Sequence, residues 1–107
     1  MIVVDEILLK DLYSESGEDK ITKAKKIVED KKVNITKVIY DNSSNFEVSS
    51  NVAGNQNIYD VYIKVIKNEI EALRCTCAEY EDSYSACKHI IATMTEFSNS
   101  NKYILNN

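Results

Sequence analysis

All three cysteines of the chain and its only histidine lie within fifteen residues of one another. They follow the pattern Cys-x-Cys, nine residues, Cys-x-His, which places the four side chains at Cys75, Cys77, Cys87 and His89. Three thiols and one imidazole are a complete tetrahedral ligand set for Zn²⁺. Because four protein ligands leave no coordination position open for a substrate, the pattern predicts one structural zinc ion.

Other chemistries are open to the same residues. A nucleophilic Cys–His pair would need an orienting Asn or Asp and a cleft, and it would leave two cysteines without a role. An iron–sulfur cluster usually takes four cysteines. A redox sensor would exchange the metal for a disulfide on oxidation, and chance clustering is a further alternative. Since the chain has no P-loop, no glycine-rich phosphate cradle and no carboxylate pair at helical spacing, we expect no enzymatic activity and no small-molecule substrate.

The composition is that of a globular protein with no general preference for nucleic acid. A length of 107 residues suits one domain, and contents of 44% hydrophobic and 28% charged residues argue against disorder. The net charge of −4 lowers the expectation of tight DNA binding, because contacts of Lys and Arg with phosphates supply most of that affinity.

The sequence also bears on location. Its apolar runs are far shorter than the ~20 residues of a membrane helix. Asp5 and Glu6 interrupt the N-terminal apolar run, unlike the core of a secretory signal. We therefore expect a cytoplasmic protein without membrane contact. Thiols stay reduced in the cytoplasm, so an odd number of clustered cysteines indicates metal binding before disulfides.

Helices are expected in a segment over residues 1–32. Apolar residues spaced by three and four predict the first helix over 1–13, with a strand over 1–4 as the competing prediction. Turn-forming residues over 13–19 lead into the second helix, over 18–31. The lysines of this second helix form either a phosphate-binding face or a solvated surface. They are Lys20, Lys23, Lys26 and Lys31.

After Lys32 the apolar residues recur with a period of two, which predicts an antiparallel sheet over residues 33–74. Clusters of Asn, Asp, Ser and Gly predict turns at 41–45 and 53–57. Connections this short make a meander. The first strand has mixed faces, one of which would hold Val33, Ile35, Lys37 and Ile39. We expect four strands, over residues 33–40, 46–52, 58–66 and 69–76.

These elements can bring the four ligands together. Residues i and i+2 of a strand point the same way, so Cys75 and Cys77 project together from the end of the last strand. Inside a helix, residues two apart differ in direction by about 200°, so Cys87 and His89 can face one metal only if Cys87 precedes or begins the first turn. The helix N-terminus would also favour a thiolate at Cys87.

The predicted fold class is α+β, with N-terminal helices, a four-stranded antiparallel β-meander, a zinc knuckle and a C-terminal helix over 87–97. We expect one domain over residues 1–107. Its parts are a helical segment, the sheet, a zinc finger and a tail, over residues 1–32, 33–74, 75–97 and 98–107.

The four ligand positions carry a family resemblance. Cys-x-Cys, nine residues, Cys-x-His, with the apolar Ile90-Ile91 after it and the aromatic Tyr80 within it, resembles the SWIM zinc finger. This motif spans residues 75–94. The order of a lysine-rich helix, a β-meander and the finger is similar to the N-terminal region of bacterial Swi/Snf-type helicase-like ATPases, in which the motor lies downstream. The resemblance implies an accessory or regulatory domain of a DNA-dependent ATPase, whose partner is a protein, the downstream ATPase domain or DNA.

Charge favours a protein partner over DNA. The knuckle carries three acidic residues between its ligands, and three thiolates on Zn²⁺ would leave one net negative charge. The acidic residues are Glu79, Glu81 and Asp82. We therefore expect a protein-interaction module. The alternative is a DNA-binding domain that uses Lys88, Arg74 and the lysine-rich helix.

Overall fold

The structure of the protein, a computed structural model, describes Lys10 and residues 12–14, 17–42, 44–78 and 86–99. Lys10 and residues 12–14 are helical. Two longer helices and four strands follow, and they confirm the predicted α+β class. These elements are α1 (Glu18–Glu29), β1 (Val33–Asn42), β2 (Asn45–Ala53), β3 (Ile58–Ile66), β4 (Glu69–Cys75) and α2 (Lys88–Asn99).

The four strands form one antiparallel sheet in the order β1-β2-β3-β4, which confirms the predicted meander. On β3, Val61, Ile63 and Val65 are buried on the inner face, while the residues between them face outward and are partly exposed. Strand β2 repeats this alternation, and the pairing of Val48 with Ile63 sets the buried rows side by side. A sheet that is covered on one face requires such a period of two.

Helix α2 covers the inner face of the sheet. It contacts all four strands on one side and α1 on the other. The Tyr13 and Thr95 hydroxyls hydrogen-bond at 2.7 Å, and so do those of Ser50 and Thr93. A helix enclosed on two sides must be apolar around most of its circumference. Its fully buried large residues are Ile90, Ile91, Met94 and Phe97.

Strand β1 departs from the sequence prediction in the phase of its faces. A register irregularity lies between Ile35 and Lys37 in the pairing with β2. Beyond it the partly buried positions are Val38 and Tyr40, while Lys37 and Ile39 are exposed. The predicted grouping of Lys37 and Ile39 with Ile35 is therefore wrong. One extra residue in a strand moves every later side chain to the other face, and a simple period of two cannot anticipate it.

The hairpin between β1 and β2 is tighter than the predicted turn over 41–45. Strand β1 continues to Asn42, and β2 begins at Asn45. The Asn42 side-chain oxygen accepts hydrogen bonds from the Ser44 N–H at 2.8 Å and from the Asn45 side-chain amide at 3.1 Å. These local bonds satisfy the turn without ending the strands early.

Several element ends also differ from prediction. Helix α1 ends at Glu29, because Lys31 adopts a left-handed φ of 56° and its N–H bonds back to the Val28 carbonyl at 3.0 Å. Tyr13 is helical, as the predicted helix over 1–13 required, and Ser14, predicted within the turn over 13–19, is helical too. The rest of the predicted helix over 1–13, the competing strand over 1–4 and most of the tail lie outside the described residues. Among the described residues, no helix combines the length and the apolar character that crossing a membrane requires.

Two isoleucines of β3 provide a matched test of the core. Ile63 is 0% exposed and Ile58 is 70% exposed. We expect Ile63→Ala to lower the free energy of unfolding by about 2–5 kcal/mol, because it removes buried methyl groups and leaves a cavity. Ile58→Ala should change it by less than about 0.5 kcal/mol. Urea denaturation followed by circular dichroism measures both, and equal effects would contradict the assigned strand faces.

Candidate metal centre

The end of β4 places two of the four ligands. Cys75, the last residue of the strand, pairs with Val61 and is buried on the inner face. Pairing continues beyond the strand, because the Thr76 N–H bonds to the Asp60 carbonyl at 3.2 Å and the Asp60 N–H bonds to the Thr76 hydroxyl at 3.0 Å. Thr76 is exposed and Cys77 is buried. The predicted common direction of the two cysteines therefore follows from the extended backbone.

The start of α2 places the other two ligands. Cys87 is the residue immediately before the helix, and its carbonyl accepts the N–H of Ile91 at 3.1 Å. His89 lies in the first turn, where both it and Cys87 are buried. The Lys20 ammonium of α1 also donates a hydrogen bond to the Ala86 carbonyl at 3.3 Å, next to Cys87. The structure thus has the geometry that the sequence required for this pair.

The four ligand atoms lie together in the interior. His89 Nδ1 is 3.7 Å from Cys75 Sγ and 3.8 Å from Cys87 Sγ. The three sulfurs and a histidine nitrogen all lie within 4.8 Å of one another. In a tetrahedral site with Zn–S and Zn–N bonds of about 2.3 and 2.0 Å, neighbouring ligand atoms are about 3.5–3.8 Å apart. The residues therefore fit a metal and could hold one ion of this size.

The hydrogen bonds of the cluster favour a thiolate at Cys87. The pKa of Cys87 is lowered, chiefly by the hydrogen bond from the Cys75 thiol; burial opposes this shift, and His89 and the Ile90 N–H support it. The same hydrogen bond, together with burial, raises the pKa of Cys75. No disulfide joins the three cysteines. A bound metal ion would displace the protons that the thiols share, because a metal binds cysteine as the thiolate.

Tyr59 and Gly54 support His89, and the sequence analysis did not identify either in this role. The rings of Tyr59 and His89 are in contact, with their centroids 4.5 Å apart and their planes tilted by 31°. A Cβ atom at Gly54 would lie 2.7 Å from Tyr59 Cε2, so only glycine allows the ring this position. The one sequence signal was that Gly54 is one of only two glycines in the chain.

The cationic residues of the DNA alternative are not brought together. Arg74 pairs with Tyr62 on the outer face of the sheet, whereas Lys88 lines a cleft beside His89.

The lysines of α1 make contacts within the chain. Lys23 forms an ion pair with Asp19 at 3.2 Å and Lys26 with Asp30 at 3.4 Å. Together with the bond from Lys20 to the Ala86 carbonyl, these pairs give three lysines of the helix a contact within the chain. The acidic residues at 79, 81 and 82 and the aromatic at 80 lie outside the described residues.

The distances predict which nitrogen of His89 binds the metal. Because Nδ1 faces the sulfurs, we expect it to be the ligand and Nε2 to carry the proton. Long-range ¹H–¹⁵N NMR of the zinc-loaded chain should show one protonated nitrogen, Nε2, and a metal-shifted Nδ1. The opposite assignment, or a spectrum unchanged by a chelator, would contradict the geometry.

Comparisons with protein-family models, with curated proteins and with solved structures found no match to this chain. The resemblance to the SWIM finger therefore depends on the four ligand positions and their immediate neighbours alone. What the cluster does has to be argued from its residues and their surroundings.

Proposed function

We propose that this chain is a non-catalytic, zinc-binding interaction module of the SWIM type. The observation that carries the proposal is the burial of four ligand atoms at the junction between β4 and α2, with every ligand residue no more than 5% exposed. Buried ligands in a full set leave no room for a reacting molecule at the metal. The role of such a site is to hold two elements in fixed positions.

Zinc is the metal that this donor set favours. Three thiolates and an imidazole suit zinc, whereas magnesium and calcium prefer oxygen ligands. When bound, the cation compensates the charge of the thiolates and links residues 75–77 to the first turn of α2. Cys75, Cys77, Cys87 and His89 would hold it, and Tyr59 would orient the His89 ring.

The partner that we propose is a protein, with the ATPase domain of a Swi/Snf-type DNA-dependent ATPase as the leading candidate. The contacts that three lysines of α1 make within the chain support this choice. Lys20, Lys23 and Lys26 each have a partner within the chain, so they do not present a continuous cationic surface. A surface with mixed charges suits a protein partner better than a phosphate backbone.

The proposed zinc site predicts both metal content and local stability. We expect one zinc per purified chain by elemental analysis, and a large loss of zinc in Cys87→Ser, because a serine hydroxyl is a much weaker zinc ligand than a thiolate. Amide exchange around residues 75–77 and the first turn of α2 should then rise at least about tenfold, while the centre of β3 stays protected by its own core.

Thr76→Ser is the matched control for this substitution. Thr76 lies between two ligands, but its side chain is exposed and its hydroxyl, which serine retains, accepts the Asp60 N–H. This variant should keep one zinc and normal exchange. A metal-free wild-type chain that is fully folded would refute the zinc proposal.

Binding measurements separate the protein partner from DNA. In buffer of low salt, we expect no saturable binding of the zinc-loaded chain to duplex or single-stranded DNA, and binding to a purified Swi/Snf-type motor domain that is lost with zinc. Salt-sensitive DNA binding that disappears in a Lys88→Glu, Arg74→Glu double variant, but not in Lys67→Glu, would favour the DNA alternative. Lys67 is the control because it lies in the exposed β3–β4 turn.

A further inference from the structure

A cleft of about 420 Å³ lies beside the metal cluster, bounded by the C-terminal end of α1, the β2–β3 turn and the first turn of α2. Its lining includes Lys32, Lys88 and His89, and none of the described residues that line it is acidic. The chain as a whole has 17 acidic and 13 basic residues. The cleft is therefore a local exception to the negative charge of the protein.

His89 offers this cleft a hydrogen-bond donor. His89 is only 5% exposed, and its Nδ1 faces the sulfurs. The other ring nitrogen, Nε2, lies on the far edge of the ring and has no hydrogen-bond partner among the described residues. With a metal on Nδ1, the neutral ring must carry its proton on Nε2. The Nε2–H reaches the solvent of the cleft, so a ligand oxygen bound there would accept its hydrogen bond in place of water.

Two lysines add positive charge to the same cleft. Lys32 and Lys88 are both partly buried, and neither makes an ion pair with any residue that the structure describes. In this they differ from Lys23 and Lys26, which pair with carboxylates of α1. Two ammonium groups outweigh the single negative charge that three thiolates leave on Zn²⁺. An anion in the cleft is therefore attracted overall.

We infer that the cleft binds the phosphate of a small phosphate monoester, through Lys32, Lys88 and the Nε2–H of His89. A monoester phosphate carries up to two charges and three terminal oxygens, which match two cations and three donor groups. A carboxylate has one charge and two oxygens, and a backbone phosphodiester has one charge. The volume lies in the range of small-ligand sites, so part of the esterified molecule would fit as well.

The turn between β2 and β3 would contact that remaining part. The side chains of Asn55 and Gln56 line the cleft and are exposed, so their amides are available to hydrogen-bond a polar ligand. The inference rests on the proposed function in one respect, because the bound metal is what fixes the proton on Nε2. The lysines do not depend on the metal.

The test is an NMR titration of the zinc-loaded full chain with glycerol 3-phosphate, inorganic phosphate, acetate and a single-stranded oligonucleotide without terminal phosphates, at constant ionic strength. We expect saturable shifts of the Gly54 and His89 amides and of the His89 Nε2–H, with glycerol 3-phosphate binding at least as tightly as phosphate. Lys32→Gln and Lys88→Gln should each weaken binding about tenfold, as loss of a charge-assisted hydrogen bond implies.

Lys25→Gln is the matched control, because Lys25 lies on α1 but lines a different depression. It should change the affinity by less than about twofold. Three results would overturn the inference: no saturable shift with glycerol 3-phosphate, binding of acetate or the oligonucleotide that is equally tight, or an equal loss in Lys25→Gln. Tighter binding of inorganic phosphate would overturn the monoester assignment, and an unmoved Nε2–H would overturn the role of His89.

Zinc content, measured on the same samples, separates failure of the two proposals. A chain that holds one zinc but binds no phosphate refutes only the proposal that the cleft binds a phosphate monoester. A chain without zinc refutes the proposed function, while the lysine variants still decide whether the cleft binds phosphate. A loss of binding in Lys88→Gln counts only with zinc retained, because Lys88 lies between two ligands; Lys32→Gln, remote in sequence from the ligands, gives the independent result.

Discussion

The position of α2 between the sheet and the N-terminal helical residues is the constraint on which the metal cluster depends. Burying the side chains of Ile90, Ile91, Met94 and Phe97 contributes roughly 6–12 kcal/mol, at about 1.5–3 kcal/mol each. These contacts bring the first turn of α2 towards the end of β4 independently of the metal ligands. A metal ion would then stabilise a junction that is already formed, which limits the effect of losing it to the surroundings of the cluster.

The sequence allowed correct predictions for features that depend on the local geometry of one strand, helix or connection. The spacing of Cys75 and Cys77 needed only an extended backbone, and the requirement that Cys87 precede the helix needed only helix geometry. The strand order followed from short connections. The faces of β1 could not be predicted in the same way, because the irregularity after Ile35 is a property of its pairing with β2. Likewise, the end of β1 at Asn42 depends on bonds made across the turn.

The residues around His89 come from several elements that are distant in sequence. Their proximity depends on the tertiary fold, so it could not be predicted from the sequence. Gly54 is 35 positions from His89, yet it leaves room for the Tyr59 ring that packs against the imidazole. Lys32 directly precedes β1 and Lys88 begins α2, yet both line one cleft. The sequence analysis grouped Lys88 with Arg74 and the lysines of α1, and it did not single out Lys32. Of the lysines that did look like a group, Lys23 and Lys26 turned out to pair with carboxylates of the chain.

The two ring nitrogens of His89 join the two proposals energetically. A metal at Nδ1 requires the proton at Nε2, and a phosphate oxygen at Nε2 favours the same tautomer. Each ligand therefore stabilises the form of the ring that the other needs. By linkage, any gain in phosphate affinity on metal binding must equal the gain in metal affinity on phosphate binding. Lys32 and Lys88 act on the phosphate alone. A measured coupling between the two ligands would thus report the contribution of the shared imidazole.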